Sequence, residues 1–62
     1  VQMRGENAQR IRQSEDIERR MRVAGLRAER DELFALARAQ LISDVSCREL
    51  VREIDLLEER FR

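Results

Sequence analysis

From Glu6 to Gln40 the chain contains nothing that stops a helix, and this run limits the fold more than any other feature. The whole chain is without Pro. Within the run, Gly25 is the one poor helix former, costing about 1 kcal/mol relative to Ala. Acids stand four residues ahead of Arg at Glu15–Arg19, Asp16–Arg20 and Glu18–Arg22. Each such pair adds ~0.2–0.5 kcal/mol to an exposed helix, whereas Arg27–Asp31 has the reverse, weaker orientation. The spacing predicts one helix over residues 6–40. Residues 1–5 have no periodicity, include Gly5 and read as a flexible lead-in.

Leu41-Ile42-Ser43-Asp44 carries the break, giving a connection over 41–44. Two helix starts are open here. Ser43 can act as N-cap with Asp44 at the positive end of the helix, or Ser46 can cap with Glu49 three residues on, the capping-box spacing. A second helix follows over 45–61, with Glu58–Arg62 as a closing i,i+4 pair. Its residues Cys47, Leu50, Val51, Ile54, Leu57 and Phe61 recur at steps of three and four, which places them on one stripe. A lone helix cannot hide that stripe from water, so a partner surface is required. The first helix offers one from Val23 onward, through Leu26, Leu33, Phe34, Leu36, Ala37 and Leu41. The expected fold is all-α: an antiparallel helical hairpin, a single domain over 6–62, with a core of Leu33, Leu36, Leu50, Val51, Ile54 and Leu57.

The two helices differ in length. About 35 residues make a helix ~52 Å long, and about 17 make one of ~26 Å. The shorter covers only the Val23–Leu41 half of the longer and leaves Ile11, Ile17 and Met21 without an intrachain partner. These three form the expected intersubunit contact of a homodimer, a coiled-coil or four-helix bundle. Size argues the same way. The core of a chain this short contributes no more than ~3–5 kcal/mol of net stability. One Cys closes no internal disulfide, and the absence of His removes the commonest metal ligand, which leaves oligomerisation. Residues 1–30 hold eight Arg against five acids (+3), and residues 31–62 hold five Arg against eight acids (−3). Opposite halves suit an antiparallel arrangement. The chain opens Val1-Gln2-Met3, which suggests a piece of something longer.

Chemistry has little support. Without His there is no Ser/His or Cys/His pair, and no glycine-rich phosphate loop occurs. No enzyme activity, cofactor, metal or bound small-molecule substrate is expected. Cys47 lies on the apolar stripe and reads as a small buried hydrophobe, although a helix N-terminus can activate a thiol. Glu49, Glu53, Asp55, Glu58 and Glu59 read as a solvated helix face. Arg10, Arg12, Arg19, Arg20, Arg22 and Arg27 could meet nucleic acid or anionic lipid, but acids are interleaved and no stacking aromatic lies nearby. All thirteen basic residues are Arg, which reads as genome base composition in preference to selection for bidentate phosphate or carboxylate contacts. No apolar run approaches the ~18 residues that read as a membrane span, and the lone thiol fits a reducing compartment.

Arg27-Ala28-Glu29-Arg30-Asp31-Glu32-Leu33, then Ile42-Ser43-Asp44, then Arg48-Glu49-Leu50-Val51-Arg52-Glu53-Ile54-Asp55-Leu56-Leu57-Glu58-Glu59-Arg60 together resemble a known tail. The run is similar to the extreme C-terminus of bacterial sodium/proton antiporters of the monovalent cation:proton antiporter-1 family. The resemblance spans roughly residues 23–62 and departs at Arg38-Ala39-Gln40-Leu41-Ile42, where such tails often carry a Gly. It implies a cytoplasmic accessory domain of a plasma-membrane antiporter, which dimerises or modulates the transporter beside its membrane domain. The ion-binding acids of such antiporters sit in transmembrane helices, so no transport residue carries over. The other reading is a free-standing helical homodimeric adaptor or an Arg-rich nucleic-acid-binding module. Ile54→Asp would bury an unpaired charge and should abolish helicity or assembly, followed by circular dichroism and sedimentation. A well-folded dimer of that variant refutes the core assignment.

Overall fold

The computed structural model describes residues 2–61, and the side chains of 5–61. Within them two helices form an antiparallel hairpin and no strand occurs: α1 over Gln2–Arg38 and α2 over Asp44–Glu59. α1 therefore begins ahead of Glu6 and passes through Gly5, because a lone glycine lowers helix propensity without blocking the hydrogen-bond ladder. The Glu58–Arg62 pair lies outside the described residues. The hairpin is slender, 58 × 17 × 10 Å. Its radius of gyration of 17.2 Å compares with about 11 Å for a compact chain of this length.

α1 stops in a left-handed turn. Gln40 has φ 61°, its N–H donates to the Ala37 carbonyl at 3.0 Å, and the Leu41 N–H donates to the Leu36 carbonyl at 2.9 Å. This pair of bonds is the Schellman pattern, which satisfies carbonyls that the last turn of a helix leaves open. Glycine usually occupies the left-handed position because it lacks a Cβ. Of the two possible starts of α2, Ser43 is the one used. It is extended (φ −72°, ψ 156°), and its Oγ accepts from the Ser46 N–H at 3.0 Å. Ser46 is thus the third residue of the helix, and Asp44 lies in the first turn, against the positive end.

The helices pack along two matched heptad seams. In α1 the half-buried residues Val23, Leu26, Arg30, Leu33 and Ala37 recur at alternating steps of three and four. In α2 and the turn that follows it, Cys47, Val51, Ile54, Glu58 and Phe61 do the same, with Cys47, Ile54 and Glu58 buried. Alternation of three and four is the coiled-coil spacing, which keeps one narrow line of side chains against the partner helix.

Two backbone substitutions test this account of the helix ends and interior. Gln40→Gly should raise stability by about 0.5–1 kcal/mol by relieving the left-handed Gln. Gly25→Ala should add up to about 1 kcal/mol, since a Cβ at Gly25 meets nothing within 4 Å. Urea unfolding followed by circular dichroism measures both.

Candidate functional site

The feature that sets this hairpin apart is a carboxylate inside its seam. Glu58 is 2% exposed. The solvated acidic face expected from the sequence is therefore corrected at this position. Stepping by four and three from Cys47 through Val51 and Ile54 lands on Glu58, so the helix points it at α1 as it would an apolar residue. The Arg27 Nε donates to Glu58 Oε1 at 2.9 Å, and Arg30 Nη1 donates to Oε2 at 3.1 Å. Arg30 Nη1 also donates to Asp55 Oδ1 at 2.7 Å, outside the seam. That hydrogen bond to Asp55, joined by the charges of Glu58 and Asp55, holds the Arg30 pKa above its ordinary value despite the opposing effect of burial.

At the other end of the seam the Cys47 Sγ–H donates to the Leu33 carbonyl at 3.6 Å, and the side chain is buried. It fills space beside Phe34 and Ala37 as a small hydrophobe. At the open end of α2, the Arg22 guanidinium lies over the Phe61 ring at 5.5 Å. Such an exposed cation–π contact contributes ~0.5–1 kcal/mol.

The six residues expected to make the hairpin core separate into two groups. Ile54 is buried, and Leu33, Leu36 and Val51 are half-buried. Leu50 and Leu57 are each 41% exposed. They stand one position to the side of the α2 seam and, with Leu33 and Ile54, line an open groove of about 430 Å³ along the hairpin. Glu29, Glu32 and Glu53 rim it. Ile11, Ile17 and Met21 are more than half exposed on the part of α1 that α2 does not reach.

The arginine cluster is largely occupied within the chain. Arg19 and Arg20 pair with Asp16, Arg22 pairs with Glu18, and Arg27 is held by Glu58. Arg19 thus takes the acid three residues back, not the expected Glu15. Among the described residues no three Cys, Asp or Glu side chains are placed to hold a metal ion. The missed elements are Glu58 and its partners Arg27 and Arg30. Extending both heptads through charged positions, without stopping at the last apolar one, would have placed Glu58 and Arg30 on facing seams.

The geometry defines a helical hairpin with a short ion-paired core, an acidic-rimmed apolar groove and a bare helical arm. No protein-family model matches the chain, and no solved structure matches it. Among curated proteins, it is 46% identical over 46 residues to the uncharacterised sodium/proton exchanger YjcE of Escherichia coli strain K12. The matched region takes in 74% of this chain and 8% of that exchanger, so the chain corresponds to a small segment of its relative. No described helix is long and apolar enough to cross a membrane.

Removing one partner of a buried ion pair leaves the other charge without compensation, whereas replacing both with apolar groups does not. Glu58→Leu and Arg30→Leu should each lower the midpoint of urea unfolding. The double variant should recover at least the more stable of the two single midpoints. Equal midpoints for Glu58→Leu and the unsubstituted chain would show that the pair does not hold the hairpin together.

Proposed function

We propose that this chain is an accessory segment of a sodium/proton antiporter, lying outside the bilayer on the cytoplasmic side. The observation that carries the reading is the 46% identity over 46 residues to an exchanger. That no described helix is long and apolar enough to cross a membrane supports the extramembrane placement. On this reading the segment carries none of the transport chemistry. It acts by helix association: Ile11, Ile17 and Met21 contact a second copy of the chain, while Leu33, Leu36, Val51 and Ile54 hold the hairpin together. The parent's membrane domain is the other partner, and the association assembles or modulates the transporter.

Fractionation of the source cells tests this. An antibody raised against the chain should reveal a band far larger than 7.4 kDa, confined to membranes. A soluble band near 7.4 kDa would overturn the antiporter reading and leave a free-standing adaptor.

A further inference from the structure

The hairpin leaves two surfaces unmatched within itself, and each has what the other lacks. The groove has an apolar floor of Leu33, Leu50, Ile54 and Leu57 and a rim of three acids, Glu29, Glu32 and Glu53. Among the described residues none of these acids takes part in an ion pair or side-chain hydrogen bond. The arm is the part of α1 ahead of Arg22, where Phe61 marks the reach of the returning chain. It carries exposed Ile11, Ile17 and Met21, and over residues 2–21 it holds five Arg against four acids. Asp16 and Glu18 are already paired with Arg19, Arg20 and Arg22, whereas Arg10 and Arg12 make no ion pair among the described residues.

Length is the second match. The exposed apolar residues of the arm, Ile11 to Met21, span ten helical steps, ~15 Å, and the α2 residues that line the groove, Leu50 to Leu57, span seven, ~11 Å. These two stretches therefore span similar distances, one on the bare arm and one on the paired part of the 58 Å molecule. Two copies laid antiparallel could place each arm in the other's groove at the same time. That arrangement has two-fold symmetry and closes on itself, with no free arm or groove left over.

We infer that the acidic-rimmed groove is the docking site for the arm of a second, antiparallel copy of this chain, with Arg10 and Arg12 meeting Glu29, Glu32 and Glu53. This deepens the self-association in the functional reading above and rests on it. It differs from an arm-on-arm contact, in which the groove would take no part. Arm packing on Leu50 and Leu57 removes the apolar surface that the hairpin alone leaves open. The charge pattern opposes a parallel pairing, which would set acidic rim beside acidic rim.

Reciprocal charge exchange tests the docking. Glu29→Arg/Glu32→Arg makes the groove basic against a basic arm, and Arg10→Glu/Arg12→Glu makes the arm acidic against an acidic groove. At low ionic strength each double variant alone should self-associate about tenfold or more weaker than the unsubstituted chain, by sedimentation equilibrium. An equimolar mixture should recover the original affinity, because both arm–groove contacts are then complementary. Should either variant alone lose its helical signal, recovery of helix and dimer on mixing supports the docking, and failure to recover overturns it. If the unsubstituted chain dimerises and both variants match it, the groove is not the interface and self-association stands. If the unsubstituted chain stays monomeric at its highest soluble concentration, self-association and the docking fall together.

Discussion

The ion pair of Glu58 with Arg27 and Arg30 is the interaction on which the hairpin's register depends. A carboxylate taken out of water is costly unless charged donors meet both its oxygens, and here Arg27 meets one and Arg30 the other. Sliding α2 by one helical turn, ~5.4 Å, would move Glu58 away from that pair of cations and towards Leu26 or Leu33. The rest of the seam is apolar and would tolerate the slip far better. Glu58 also lies in the last turn of α2, where the negative end of the helix disfavours an acid. Two guanidinium groups from the neighbouring helix offset both costs, and Asp55 steadies one of them from outside.

Once the register is set, the shape of the rest follows. The Schellman turn at Gln40 and the Ser43 cap reverse the chain within a few residues, so α2 runs back beside α1 for its own length and then stops. α1 is more than twice as long, and among the described residues α2 does not reach its first half. A hairpin of this build has a thin seam instead of a rounded core. Cys47 and Ile54 are the buried hydrophobic residues among those described. Exposed apolar residues on both the arm and the groove wall mark surface that association with another helix would stabilise.

Much of this was legible in the residues. The uninterrupted run up to Gln40, the Ser-Asp signal and the three-and-four spacing after it specify two helices of unequal length, and hence a bare arm. Gly5 misled the placement of the first helix's start, since a weak former at one position is outweighed by the good formers around it. Leu50 and Leu57 were harder. Periodicity shows that they share a broad stripe with Ile54, but it does not say which edge of the stripe faces the neighbouring helix. Glu58 was missed because charge was read as exposure, although its heptad position argued otherwise.

The sequence by itself determined two helices of unequal length, the break between them and the overhang, because these follow from backbone hydrogen bonding and side-chain spacing within a few residues. Only the tertiary structure decided that Glu58 is inside, that Arg27 and Arg30 are its partners, and that Leu50 and Leu57 wall a groove beside the seam. Those facts depend on the rotation and offset of one helix against the other, which residues distant in the chain set together.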